Sequence, residues 1–282
     1  MGTVTGRFSS QYPNLQQVPA RDPELGPMIR SLFIPEEDSE WYCADYSQQE
    51  PRVLVHYASL KDMRTALQVQ KEFCRNEKTD FHQMVANMAG IERKQAKTIN
   101  LGLFYGMGNK KLAAQLGLEQ DQAYELFNQY HNKVPFVKEL SRQVSNVAGS
   151  RGYIKTLLGR KRRFDMWEPR DSWGEKAYTL SEAYAHYPKQ ELKRAYTHTA
   201  LNALIQGSSA DITKAAMLKI YKAGILDEID LKLTIHDELD FSIPWNKQKC
   251  FEEALQIMKT CVKLKVPLKV DVEKGDNWGT AK

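Results

Sequence analysis

The chain has 282 residues, 42% of them hydrophobic and 27% charged, which supplies one large core or two small ones and excludes a disordered chain. A formal net charge of +5 permits a polyanionic partner without requiring one, and no apolar run is long enough to span a bilayer. Four scattered cysteines, with no CxxC pair and no metal-ligand spacing, fit a reduced protein of the cytoplasm.

The opening "MGTVTGRFSSQYPNLQQVPARDPELG" is rich in turn formers and poor in periodic hydrophobics. It is expected to be extended and irregular, lying against something else. "EWYCADYS" (Glu40–Ser47) reads as a strand. In "SQQEPRVLVHYASL" Ser47 and Glu50 have capping-box spacing and Pro51 falls in the first turn, where it is tolerated, so a helix is predicted. From Met63 to about Asn146 the pattern is helical, punctuated by Gly90, Gly106–Gly108 and Gly117. "SRGYIKTLLGRKRRF" reads as a short hairpin with a basic cluster, and Ser172–His186 as an exposed polar loop. "RAYTHTALNALIQGSSADITKAAMLKIYKAG" reads as one long helix ended by Gly224. Leu231, Leu233 and Ile235 alternate, as do Leu239, Phe241 and Ile243; with "HDE" between them they predict a tight hairpin. A helix over Lys247–Leu264 and a short strand in "LKVDVEKG" follow. The order implies an α+β architecture, a small antiparallel sheet with a large helical insertion.

Asp45 closes the first strand and Asp237 lies at the tip of the late hairpin. If both strands share one sheet, the two carboxylates meet at one end of it. Ionised carboxylates in close approach repel, and burial raises the cost. A divalent cation removes that cost, and oxygen-rich sites of this kind suit Mg²⁺. Two-metal phosphoryl-transfer sites hold their ions about 3.5–4 Å apart. Read on their own, Asp237 and Glu238 are equally ordinary turn acids. A second constellation, "RKQAKTINLGLFYGMG", sets Arg93, Lys97, Leu101 and Phe104/Tyr105 on one helical face. Its cations suit the phosphates of a nucleoside triphosphate and its ring the base. Taken alone, a solvated basic face is the simpler reading.

"DYSQQEPRVLVHYA", "RKQAKTINLGLFYG" and "IHDELDFSI" resemble the three signature motifs of family A (DNA polymerase I-like) DNA polymerases. "TGRFSSQYPNLQQVPAR", "TLLGRKRRF", "ALNALIQGSSADI" and "VPLKVDVEKGDNW" match as well, in the family's order and across essentially the whole chain. The resemblance implies a polymerase palm with the fingers inserted in it: palm over 1–62, fingers with the basic hairpin over 63–190, palm again over 191–282. It implies that Asp45, Asp237 and the backbone carbonyl of Tyr46 bind two Mg²⁺ ions, with Mn²⁺ as a substitute, and that Glu238 supports them. Arg93, Lys97 and His82 would grip the triphosphate, with Lys97 also able to donate a proton to pyrophosphate. Gln48, Leu101 and Tyr105 would line the nucleotide site, and rotation of the Arg93–Tyr105 helix would close it. Glu50 would be a steric gate against a ribose 2′-hydroxyl. Arg7, Asn14, Gln16, His198, Asn202 and Gln206 would touch the duplex, His236 the primer-terminal phosphate, and Arg160 and Arg162 backbone phosphates. His198, Asn202 and Gln206 also read as a solvated helical stripe.

Leu101 stands where many relatives have an aromatic, Gln49 and Pro51 where they are apolar, and His198 where bacterial relatives have Arg; the last tilts the source towards a phage, hence the cytoplasm of a bacterial host. No thumb or 3′–5′ exonuclease portion is recognised. The partners implied are primer–template DNA and dNTPs, with no membrane; two readings stay open, a chain truncated from a longer polymerase, or a split polymerase in which a second chain supplies the thumb and, as a further option, an exonuclease. The competing readings are a catalytically weak or non-catalytic DNA-binding subunit of a replication complex, and a single-subunit RNA polymerase relative, against which Glu50 argues.

Overall fold

The computed structural model describes residues 3–19, 22–104, 109–171 and 174–282. In chain order its elements are α1 (Leu25–Arg30), β1 (Ser39–Tyr46), α2 (Gln49–Ser59), α3 (Arg64–Arg75), α4 (Phe81–Ala89), α5 (Arg93–Phe104), α6 (Asn109–Leu116), α7 (Gln120–Lys133) and α8 (Pro135–Arg151). There follow β2 (Tyr153–Lys155), β3 (Lys161–Arg163), β4 (Met166–Pro169), β5 (Tyr178–Thr179), α9 (Leu180–His186), β6 (Leu192–Arg194), α10 (Ala200–Lys222), β7 (Asp230–Ile235), β8 (Glu238–Pro244), α11 (Gln248–Thr260) and β9 (Val270–Gly275). They form two compact units, Met1–Val53 with Phe73–Lys78 and Ser208–Lys282, and Leu54–Glu72 with Thr79–Gly207.

The first unit is built on a four-stranded antiparallel sheet of order β7-β8-β1-β9. Its period-2 pattern decides which side chains share a face. Tyr42, Ala44 and Tyr46 of β1 lie with Leu239, Phe241 and Ile243 of β8, and all are buried. α11 supplies Phe251 to this face, with ring centroids 4.8 Å from Tyr42 and 5.7 Å from Phe241. The Tyr46 hydroxyl donates to the Met258 carbonyl at 2.8 Å, so the strand's last aromatic is pinned to α11. On the other face Trp41 and Cys43 pack with Trp278 and Ala281, and Phe33 meets Trp278 edge-on at 5.3 Å.

Arg52 secures the start of α2. It is fully buried and donates to the carbonyls of Ser47 (2.9 Å), Pro267 (2.7 Å) and Glu77 (2.5 Å), with its guanidinium 4.5 Å from the Phe73 ring. A buried cation is tolerable only when its donors are met in this way. Burial still lowers its pKa to about 10.

In the second unit Asp80 caps α4 by accepting from the Gln83 backbone N–H at 3.0 Å. Pro135 opens α8 and Gly152 ends it at φ 77°. That glycine is also required by space, because a Cβ there would lie 2.7 Å from the Arg194 guanidinium carbon. The expected basic hairpin is β2–β3, with Tyr153 opposite Arg163. A second small sheet has the order β5-β4-β6.

Several expectations are corrected. The polar stretch after residue 173 is not a loop: it holds β5 and α9, and α9 begins with a capping box in which Thr179 and Glu182 satisfy each other. The long helix starts only at Ala200; Arg194 is in β6 and Thr197–Thr199 form a 3-10 turn after the left-handed residue Tyr196. His198 therefore stands off the helix that carries Asn202 and Gln206. Ser47 and Glu50 do not form a capping box, since the Ser47 N–H donates to the Lys269 carbonyl at 2.9 Å and Glu50 turns to Arg7. The opening segment contains the short α1 and a 3-10 turn at Leu15–Gln17.

Candidate active site

The β1–β8 register sets Asp45 directly opposite Glu238, and the Tyr46 N–H reaches the Asp237 carbonyl at 3.4 Å. Asp237 occupies the turn between β7 and β8 and is half-buried, and His236 beside it takes φ 59° and is exposed. A two-residue turn with left-handed backbone reverses the chain so tightly that the acids sit at the sheet's end. Burial first, then the charges of Asp237 and Glu238, push the Asp45 carboxyl up to about 7. Burial likewise raises Asp237, with Arg7 partly offsetting it. Both carboxylates are therefore held where a proton or a cation is favoured over bare charge.

Arg7 also donates to Glu50 at 2.5 Å, the two side chains being 22% and 12% exposed. Burial raises the Glu50 pKa, Arg7 opposes that, and the Asp237 charge adds to it. Glu50, expected from the sequence to be a gate, is thus held from the opening segment. Gln16 donates to the Thr234 carbonyl of β7 at 3.2 Å, and the Asn14 side chain accepts from the Gln16 N–H at 3.2 Å. Gln48 has φ 53° and is half-buried.

Asp240, Cys43 and Lys282 were missed in the sequence. β8 alternates Glu238, Asp240 and Ser242 on the face shared with Asp45 and Cys43, a pattern that reads as solvated, yet all three are buried. Lys282 forms an ion pair with Glu238; burial works against its ammonium, but Glu238 outweighs this and raises its pKa. Asp240 is 0% exposed with no well-formed hydrogen bond to either carboxylate oxygen, and burial then Glu238 push it up to about 9. One ligand atom each from Cys43, Glu238 and Asp240 lie within 4.8 Å of one another. The Cys43 thiol is raised, by burial first and then by these acids.

In the second unit α5 carries Arg93 and Lys97, both exposed, with Leu101 half-buried. Arg93 already holds Asp80, at 2.7 Å and 2.8 Å. His82 is buried, with its Nδ1 3.1 Å from the Asn100 amide, whose oxygen accepts from Tyr130 at 2.6 Å. Burial lowers His82 to about 4, so it is a neutral ring. Arg160 donates to the Gly207 carbonyl at 3.0 Å, and Arg162 lies 5.1 Å from the Phe164 ring. Asn202 is half-buried, Gln206 buried and His198 exposed. Tyr105 lies outside the described residues. Among those residues no helix is long and apolar enough to cross a membrane.

The backbone is that of a polymerase domain. The POL domain of Pol1 from M. smegmatis, solved in complex with DNA primer-template and dNTP, superposes with a TM-score of 0.80 at 32% identity, over 99% of this chain and 47% of that one. A DNA-directed DNA polymerase of Pseudomonas phage M6 is 40% identical over 99% of this chain and 44% of its own length. DNA polymerase I of Caldicellulosiruptor bescii is 33% identical over 98% of this chain and 31% of its own. The family model for DNA polymerase family A matches residues 1–280. The chain belongs to DNA polymerase family A. It spans less than half the length of these relatives. The family uses divalent metal ions.

Proposed function

We propose that this chain is the palm-and-fingers portion of a template-directed DNA polymerase, extending a primer 3′-hydroxyl with dNTPs by two-metal-ion nucleotidyl transfer. The first unit is the palm and the second the fingers. The observation that carries the reading is the convergence of Asp45 and Asp237 at one end of the sheet, where each suffers burial and Asp45 the charge of its neighbour. Such a pair of oxygen donors fits a hard divalent cation. Asp45, Asp237 and the Tyr46 carbonyl would hold two Mg²⁺ ions, which would supply activation of the 3′-hydroxyl and neutralisation of charge on the phosphates.

The chain's own residues do the rest. Arg93 and Lys97 present cations to the triphosphate, Arg93 exchanging Asp80 for a phosphate oxygen, and Lys97 Nζ can pass a proton to departing pyrophosphate. A neutral His82 offers a hydrogen bond rather than charge. Glu50, locked by Arg7, blocks the space of a ribose 2′-hydroxyl; rejecting a group by a fixed, buried wall demands that the wall not move. A second chain bearing a thumb is proposed as the partner.

Primer extension with Asp45→Asn and Asp237→Asn tests the reading. Each variant is expected to lose at least about a hundredfold in rate, as removal of a principal electrostatic group does, while primer–template binding persists. Extension at parental rate in both would leave a DNA-binding, non-catalytic subunit as the better account.

A further inference from the structure

The chain's net charge is not spread along it. Residues 151–200 hold eleven of the 40 Lys and Arg but six of the 35 Asp and Glu, so this stretch carries the entire excess of +5. It is also where cations and rings interleave: Lys161 over Tyr153 (4.9 Å), Arg162 over Phe164 (5.1 Å), Lys176 over Tyr178 (5.0 Å) and Arg194 over Trp167 (4.4 Å). Within the second unit, α8 and the β5-β4-β6 sheet enclose a cleft of about 540 Å³, lined among others by Asn146, Ser150, Trp167, Arg170, Lys193 and Arg194. None of the site residues expected from the sequence, and none of the family motifs, falls on this cleft.

We propose that the cleft binds single-stranded nucleic acid. Its volume suits one unstacked nucleotide, within the range of small-ligand sites. A duplex offers no unpaired base to Trp167, its bases being stacked and paired. Arg170 pairs with Glu191 at 2.9 Å, with both side chains more than half exposed, and an exposed pair of this kind is worth little and exchanges readily for a phosphate. Lys193, half-buried, lies 3.7 Å from Glu168 and donates to the Arg170 carbonyl at 3.0 Å, which holds its ammonium beside Arg170. Arg194 is different: it donates to the Phe164 carbonyl at 2.8 Å and packs on Gly152, so it fixes the Trp167 ring rather than an anion. α8 ends at Arg151 and brings partial negative charge to the cleft's edge. The phosphate therefore sits at Arg170 and Lys193, and the base at Trp167 with the Asn146 amide as a hydrogen-bonding edge. Stacking combined with phosphate binding is the usual, sequence-tolerant grip on single strands. The polymerase reading is used only to name the strand, as unpaired template.

The test is fluorescence anisotropy with a labelled oligothymidylate of about 12 nucleotides, a length within one single-strand site, over a salt series. Arg170→Ser with Lys193→Ser is expected to weaken binding about tenfold and to reduce the log–log salt slope by about 1.4, at about 0.7 for each phosphate no longer neutralised. Lys110→Ser with Lys111→Ser removes two exposed cations elsewhere in the same unit and is expected to leave both quantities unchanged. Thermal melting checks folding; should the first pair of substitutions unfold the chain, photocrosslinking of an iodouracil oligonucleotide to the parent protein is expected to label peptides around residues 146–150 and 167–170. Unchanged affinity and slope, or crosslinks confined elsewhere, overturn the proposal. So does displacement of the oligonucleotide by polyglutamate at equal charge, which would identify an acidic protein as the occupant. Binding is read without turnover, so a chain inactive in primer extension leaves this result standing, and an active chain that fails to bind refutes only the cleft.

Discussion

Asp240 is the residue whose burial most needs explaining. In the unfolded chain it titrates near the ordinary value of 3.8, and in the fold it holds its proton to about 9. The folded state therefore binds more protons than the unfolded state between those values. Stability is greatest below about pH 4 on this account and is lost as pH rises towards 9. Asp45, raised to about 7, acts in the same direction over the lower part of the window. Asp240→Asn should flatten the profile between pH 4 and 9 by up to about 1.4 kcal/mol per pH unit, the linkage of one proton. Denaturant melts of parent and variant at several pH values check this, and superimposable pH profiles would refute it. Nothing in the alternation "ELDFSIP" reveals Asp240 as buried, because a polar residue every second position describes a wet face as well as one covered later by the chain. Trp278 and Ala281, packed on Trp41 and Cys43 of the same face at the far end of the sequence from β1, supply that cover, and neighbours so distant along the chain leave no periodic trace.

At the scale of elements, what was legible was what local pattern controls. β7 and β8 follow from alternating apolar residues and β1 from an aromatic-rich run ending in polar residues, and their convergence on Asp45 and Asp237 followed once the hairpin was read as part of the same sheet. α9 was hidden because it is short and exposed apart from Ala183, so it buries no apolar stripe; its capping box at Thr179 and Glu182 was the available signal. The late start of α10 was hidden because Tyr196 adopts φ 61°, a left-handed break no residue type announces there. Arg52 was read only as part of a helix, yet it is the tie between α2 and three other stretches of the first unit. Arg52→Met keeps the apolar stem against Phe73 and strips three carbonyls of their donor. A cost of about 3 kcal/mol is expected, at about 1 kcal/mol per buried group left unsatisfied. Urea unfolding measures it, and a destabilisation below about 0.5 kcal/mol would mean water enters to replace the guanidinium.

For the molecule as a whole, charge placement limits how DNA is held. Outside residues 151–200 the chain has 29 cations and 29 acids, a net charge of zero. Arg7, which would face the duplex from the opening segment, is already committed to Glu50, and Arg93 to Asp80. Affinity for primer–template comes chiefly from phosphate neutralisation and counterion release, so a chain whose cations outside residues 151–200 are matched one for one by acids, with Arg7 and Arg93 engaged, has a fast off-rate. On the proposed function this predicts distributive synthesis by the chain alone: at a large excess of primed template, products grow by one or a few nucleotides and lengthen only as enzyme is added. A thumb-bearing second chain would slow dissociation without touching Asp45 or Asp237. It should therefore lengthen products at a fixed enzyme-to-template ratio while leaving the single-turnover rate of the first addition within about twofold, because a change in residence does not alter the chemical barrier. Running the extension under single-hit conditions with and without that chain separates the two quantities. Equal product lengths in both reactions would show that the chain grips duplex DNA unaided, and the charge argument would fail.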